Sequence, residues 1–313
     1  MPPIDLDQRL VVALSSRALF ELEEEDRLFE EQGNEAYRTY QRLHQNEPLA
    51  PGVAFPFIRR LLSLNLEFPE NPPVEVVLLS RNDPDTGLRV LSSIQHHGLE
   101  ITRGAFLSGK SPYSYVSAYG ACLFLSANPQ DVRLAMDAGV PAGLVLRSSF
   151  QDDESRELRI AFDFDGVLAD DEAEKVYQEH KDLGEFTRSE QLKKSLAHNP
   201  GPLSELFRKL AGIQRLEMAK EVAAPAGQPY QRILRTAIIT ARSSPSHERV
   251  VTTLREWGVM ADETFFMGGV EKRRILQVLR PHIFFDDQPL HLAPDVAPSV
   301  HVPFGVANQK RLP

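Results

Sequence analysis

Two carboxylates one residue apart, Asp163 and Asp165, follow directly on the apolar run Ile160-Ala161-Phe162, and Gly166 comes next. On an extended strand side chains alternate, so positions 163 and 165 project to the same side, and a glycine lets the chain turn sharply just beyond them. Like charges that close repel unless a cation or a shared proton relieves them. A hard divalent ion such as Mg2+, which takes oxygen ligands and leaves positions open for phosphate oxygens, is the natural partner. An isolated pair of this kind reads equally well as an acidic turn capping the next helix.

Three further segments carry complementary chemistry. Thr236-Ala237-Ile238-Ile239-Thr240 is an apolar strand whose tip offers the Thr240 hydroxyl and the backbone N–H groups of Ala241 and Arg242 to a phosphate. Gly268-Gly269-Val270-Glu271-Lys272 puts a lysine at the start of a helix predicted to run through Leu279. Taken alone, Lys272 is a solvated surface charge. Pro281-His282-Ile283-Phe284-Phe285 is a third apolar strand, ending in Asp286 and Asp287; for Asp286 helix capping is the plainer role. What must position these groups is a parallel α/β sheet, because its strand C-termini gather on one edge and ligands bind there. Acid pair, hydroxyl, lysine and second acid pair are then predicted to meet around one point.

The order D-x-D-G-V, apolar run plus Thr, Lys, apolar run plus Asp-Asp resembles the four motifs of the haloacid dehalogenase (HAD) superfamily of phosphatases. Over residues 10 to about 295 the chain also resembles the cytosolic 5'-nucleotidase type I family, whose members prefer AMP. That resemblance rests on Ser15-Ser16-Arg17-Ala18-Leu19-Phe20, Asn46-Glu47-Pro48, Pro51-Gly52, Ala54-Phe55-Pro56-Phe57, Ala161-Phe162-Asp163, Thr240-Ala241-Arg242-Ser243 and Arg280 through Gln288. It implies a HAD-like Rossmannoid α/β fold and a Mg2+-dependent 5'-nucleotidase releasing phosphate from a nucleoside monophosphate. Asp163 would be the nucleophile, forming an aspartyl-phosphate, and Asp165 the general acid and base. Thr240 and Lys272 would stabilise the transferring phosphoryl group. Metal ligands would be Asp163, the Asp165 backbone carbonyl and Asp287, with Asp286 orienting its neighbour or bound through water. Substrate contacts are expected at Phe164, Gly166, Ala241, Arg242 and Asn46. Two other functions stay open: a HAD phosphatase of another small phosphomonoester such as a sugar phosphate, and a nucleotide-binding regulator without turnover.

The chain of 313 residues carries a net charge of -9 and 42% hydrophobic residues, enough for a large core divided between two lobes. That charge argues against a nucleic-acid polymer as partner, while a local cation site still admits a small anion. No stretch of about 18 apolar residues occurs, and Met1 to Arg9 lack the pattern of a signal peptide, so a cytoplasmic enzyme is expected. The one cysteine, Cys122, lies in an apolar run and reads as a core thiol.

The N-terminal half reads as a worn copy of the C-terminal half. Ser15 stands where Asp163 does and Arg17 where Asp165 does; Ser80-Arg81-Asn82 parallels Thr240-Ala241-Arg242, Lys110 parallels Lys272, and Ser126 parallels Asp287. Intervals agree, with 30 residues from Ser80 to Lys110 against 32 from Thr240 to Lys272; the alternative is a strand-helix rhythm common to any two α/β halves. The expected organisation is a degenerate HAD-like lobe over 1–150, substrate-binding or dimer-forming, and a catalytic lobe over 151–313 with a helical cap insert at about 172–198. A homo-oligomer is compatible with this. Arg17 faces an anionic ligand or serves as an ion-pair partner. Glu21 to Asp26 reads as a solvated helix start, Trp257 as core, and Tyr177, Phe186 or Phe55 as candidates for stacking on a base.

Overall fold

A computed structural model describes residues 5–153, 155–225 and 227–308; the expectation of no leader at Met1 to Ile4 falls outside them, as does Glu154 of the acid-rich stretch 148–155. The chain forms two compact units, Met1–Val145 and Leu146–Pro313. The division lies five residues before the expected 150/151. The Leu146 N–H donates to the Ser299 carbonyl (3.0 Å), and Phe150 lies under the Arg280 guanidinium (5.6 Å to the ring centroid). These contacts attach 146–150 to the second unit.

In the first unit, β1 (Leu10–Leu14), β2 (Val74–Ser80), β3 (Arg103–Phe106), β4 (Leu123–Ser126) and β5 (Ala142–Val145) make a parallel sheet in the order β3-β2-β1-β4-β5. All residues of β1, β2 and β4 are buried, as expected of parallel strands with helices on both faces. Its core joins Val11, Ala13, Val77, Leu79 and Phe124 to the helix residues Val132 and Ala135. In the second unit, β6 (Leu158–Phe162), β7 (Leu234–Thr240), β8 (Glu263–Phe266), β9 (Ile283–Asp286) and β10 (Ser299–His301) form a parallel sheet ordered β8-β7-β6-β9-β10. Each is the HAD-like α/β arrangement, with the first strand central and the crossovers reversing direction beside it, so that a cleft opens at the C-terminal edge.

The two units repeat each other's hydrogen bonds as well as their strand order. Ser15 N donates to Leu125 O and Asp163 N to Phe285 O, both at 2.8 Å. Gly52 N donates to Leu19 O (2.8 Å) and Gly201 N to Leu168 O (2.7 Å). A Cβ on either glycine would fall within 3 Å of backbone atoms, so the Pro-Gly pairs at 51–52 and 200–201 answer one steric demand. Arg89 binds Glu25, Gln41 and the Glu47 carbonyl; Arg249 binds Glu172, Glu190 and the Leu196 carbonyl. Both units carry a broken helical pair after the first strand. Helix Glu23–Leu43 is interrupted at Gly33 (φ 81°), and helices Glu172–His180 and Leu183–Leu192 meet at Lys181 (φ 53°).

This register corrects two expected equivalences. Lys110 N donates to Leu107 O as Val270 N does to Met267 O, and Tyr115 N to Pro112 O as Ile275 N does to Lys272 O. Lys272 therefore corresponds to Pro112, not Lys110. Ser126 Oγ accepts from Asn128 N as Asp286 Oδ1 does from Gln288 N, so Ser126 corresponds to Asp286 and Ala127 to Asp287. The acid run also differs from expectation, since Glu25 is buried (6% exposed) against Arg89. Trp257 is only half-buried, with the Arg208 guanidinium over its ring. Cys122 is buried, its thiol donating to the Val11 carbonyl. No helix among the described residues is long and apolar enough to cross a membrane.

Candidate active site at the C-terminal edge of the second sheet

Three strands end together. β6 delivers Asp163 and then Asp165, β7 ends on Thr240, and β9 ends on Asp286 with Asp287 beyond it. Lys272 caps the helix Arg273–Leu279 that precedes β9. Its ammonium lies 2.8 Å from Asp163 Oδ2 and 2.7 Å from Asp286 Oδ2, and is 4% exposed. The lysine read as solvated when taken alone is thus buried between two acids, and burial, which works against its charge, is outweighed by Asp163 and Asp286, so its pKa rises. Thr240 is fully buried, and its Oγ1 accepts from Arg242 N (3.3 Å).

The two acids on that ammonium respond oppositely. Burial pushes Asp163 up to about 7, with Asp286 and Asp165 adding repulsion and Lys272 opposing it. Asp286 faces the same burial but also receives Gln288 N (2.9 Å) and has His291 Nδ1 at 3.4 Å, and it is held below the usual carboxylate range. Lys272 and His291 favour the ionised form of Asp286, so within the pair the negative charge is favoured on Asp286 and the proton on Asp163.

Asp287 has no such help. Its Oδ1 is buried without a hydrogen-bond partner, and burial with three neighbouring acids pushes its carboxyl up to about 9. A Cβ on Gly166 (φ 73°) would lie 2.6 Å from the Asp287 carboxyl group, so the glycine both permits the turn and leaves room beside that acid. His301 Nε2 (3.0 Å) and Asn308 Nδ2 (2.9 Å) hold the Asp287 carbonyl. Oxygens of Asp163 and Asp286 and a nitrogen of His291 also lie within 4.8 Å of one another, but the ammonium already occupies the Asp163–Asp286 side. The unpartnered Asp287 oxygen is what fits a cation: an all-oxygen, anionic donor set of the kind that suits hard divalent metals. In the metal-free protein Asp287 has a folded pKa above its unfolded one, so its contribution to stability is present at low pH and is lost as pH rises toward 9. Asp287→Asn is therefore expected to raise the metal-free melting temperature at pH 8. Saturating divalent cation should raise that of the parent by roughly 5 °C and leave the variant unmoved; differential scanning fluorimetry reads both.

Asp165 is clamped. Arg242 Nε donates to its Oδ2 (2.8 Å) and Nη2 to its Oδ1 (2.7 Å), the bidentate geometry that fixes a carboxylate in orientation as well as charge. The guanidinium also meets Glu190 and His198, and Glu190 receives Arg249 (2.9 Å). Burial raises the Glu190 pKa less than His198 and Arg242 lower it, leaving it about 2. Glu190, His198, Arg249 and His291 had no short motif to announce them. Glu190 and His198 meet across eight residues and Glu190 and Arg249 across 59; His291 follows Asp287 by four residues.

Among the expected substrate contacts, Ala241 and Gly166 lie at the strand tips, whereas Arg242 is occupied by the acids just named. The Phe164 side chain is fully buried, edge-on to His198 (5.5 Å); its ring is packing, and what it brings to the edge is the N–H bonded to Asp163 Oδ1 (2.7 Å). Arg17 and Asn46 belong to the first unit: Arg17 is paired with Asp26 (2.8 Å), and Asn46 is exposed in a turn. Phe55 packs against Phe20 and His97, which removes it as a stacking candidate. Tyr177 and Phe186 are half-buried, Phe186 under the Arg242 guanidinium (5.5 Å).

The 5'-nucleotidase family model matches residues 2–309. Human cytosolic 5'-nucleotidase 1B is 35% identical over 294 residues, 90% of this chain and 46% of that protein. The chain thus spans about half the length of this curated relative.

Proposed function

The chain belongs to the 5'-nucleotidase family, and from that premise we propose that it is a Mg2+-dependent phosphatase of nucleoside 5'-monophosphates, AMP or a close relative first among them, acting in the cytosol. The observation that carries this is the buried set of Asp163, Lys272, Asp286 and Asp287 at one sheet edge, with an unpartnered Asp287 oxygen. Asp163, Asp287 and the Asp165 carbonyl would hold the cation. When bound, it would neutralise phosphate charge and favour the ionised forms of Asp163 and Asp287, whose protons pass to solvent. Asp163 then attacks phosphorus in line and becomes the aspartyl-phosphate. Asp165, which must first take up a proton and free one oxygen from Arg242, would give that proton to the leaving ribose oxygen and take one back from the water that hydrolyses the intermediate. Lys272 and the Thr240 hydroxyl face the phosphoryl charge. The first unit, with Ser15, Pro112 and Ser126 in place of Asp163, Lys272 and Asp286, is a copy whose equivalent positions carry no acid or lysine for a metal and phosphate.

Arg242 acts as a positioning residue for Asp165. Arg242→Lys keeps a positive charge but loses the two-pronged grip, and kcat should fall about 10- to 100-fold with little change in KM. A change confined to KM would show that Arg242 serves substrate binding instead. The reading as a whole is tested by phosphate release from a panel of nucleoside monophosphates and sugar phosphates with Mg2+. Faster turnover of sugar phosphates would replace it with the general phosphatase, and binding without release would replace it with the regulator.

A further inference from the structure

At the C-terminal edge of the first unit's sheet, where the second unit carries its acids, lies a cavity of about 490 Å3, within the range of small-molecule sites. Its floor is the strand tips, Ser15 to Arg17, Leu79, Arg81 and Ser126, and its wall is the broken helix Glu23–Leu43. The break at Gly33 lets both halves of that helix contribute, through Phe29 and Tyr37. The cavity is therefore the counterpart of the candidate active site, retained after its acids and lysine were replaced.

Charge has been removed from it selectively. Arg242 and Glu190, which pair in the second unit, correspond to Asn82 and Gln41, two neutral amides. Both amide nitrogens, Asn82 Nδ2 and Gln41 Nε2, are buried without a hydrogen-bond partner, while Asn82 Oδ1 is taken by the Tyr37 hydroxyl (3.2 Å). A buried donor left unmatched is costly, and Asn82 lines the cavity, so an acceptor brought by a ligand would satisfy it. The two arginines of the floor are engaged already: Arg17 with Asp26, and Arg81 with Asp131 and the Gly109 carbonyl. Of the five carboxylates at the cavity, Glu25, Asp26, Asp83 and Asp131 are paired in turn with Arg89, Arg17, Arg38 and Arg81. Each of these arginines is thus committed to an acid and none is left over for a phosphate, whereas the unmatched amide accepts a neutral molecule with hydroxyl and carbonyl or ring-nitrogen acceptors. Phe29, 49% exposed and edge-on to Tyr37 (5.8 Å), offers an aromatic face beside the unmatched amide.

We infer that the first unit is a second small-molecule site, selective for a neutral nucleoside over its phosphorylated form. The choice of a nucleoside, the phosphate-free product, rests on the function proposed above; the existence of a neutral-ligand site does not. The test is photolabelling of the full chain with 8-azidoadenosine, followed by mapping of the labelled peptides. Label is expected within 23–43 or 81–86, displaced by adenosine at concentrations at least tenfold below those needed with AMP. Asn82→Leu should reduce that label about tenfold, and Phe29→Ala, at an exposed position that leaves folding intact, should reduce it as well. Label confined to residues 146–308 overturns the site. Displacement by AMP or inorganic phosphate at lower concentration than adenosine overturns the neutral class. Because labelling needs no turnover, failure here is separable from failure of phosphate release.

Discussion

Replacing Asp163 by asparagine is expected to abolish phosphate release, by at least about 10^4-fold, as loss of a covalent nucleophile does elsewhere, while the variant melts no lower than the parent at pH 8. The second half follows from the electrostatics. Asp163 is buried beside Asp286 and Asp165, and its carboxyl is already pushed up to about 7, so ionising it costs free energy that a neutral amide of the same shape does not. Lys272 keeps Asp286 as partner (2.7 Å) and is not left bare. Acid-quenched protein exposed to substrate labelled in the phosphate should carry covalent label in the parent and none in Asp163→Asn. Turnover within tenfold of the parent would remove Asp163 from the role of nucleophile and leave the acids as a metal site alone.

What the sequence made legible divides along a physical line. Strands β6, β7 and β9 were readable because a parallel strand buried on both faces is an unbroken apolar run, and the chemistry sits where the run stops: Asp163, Thr240, Asp286. Periodicity and a glycine pair also located Lys272. Residue type misled at Lys110: the 32 residues from Thr240 to Lys272 lead from Ser80 to Pro112, and the positive-φ turn at Ser108-Gly109 is the same one as at Gly268-Gly269, so the register was there in the interval and the matching lysine drew attention from it. Side-chain direction at Phe164 was legible but not drawn: the alternation that puts 163 and 165 on one side sends the ring of 164 to the other, and it goes to the interior. The clamp on Asp165 was out of reach. Arg242 stood out only as an expected substrate contact, Glu190, His198 and Arg249 look like ordinary helix or loop residues, and only their convergence, which sequence order does not encode, makes a buried network of them.

The same convergence governs Lys272→Met. One ammonium serves two buried carboxylates, at 2.8 and 2.7 Å, and removing one partner of a buried ion pair costs about 3–5 kcal/mol because the remaining charges stay desolvated. In this variant both acids should bind protons more tightly in the folded state than in the unfolded chain. Their contribution to stability is then present below the unfolded carboxylate pKa and is lost as pH rises. The metal-free variant should therefore melt roughly 10 °C below the parent at pH 8 and only a few degrees below at pH 5. Divalent cation should recover part of the difference at pH 8, since it offers the acids another positive charge. Turnover should not return with it: the phosphoryl group loses a buried cation that no side chain among Thr240, Ala241 and Gly166 replaces, a loss of about 10^3-fold or more. Lys272→Arg should fare little better, because a planar fork cannot stand as a point charge in a space 4% open to solvent. Equal melting of Lys272→Met and parent at both pH values would mean that the acids are relieved by something other than this lysine, and the charge argument for the site would have to be rebuilt from Asp287 outward.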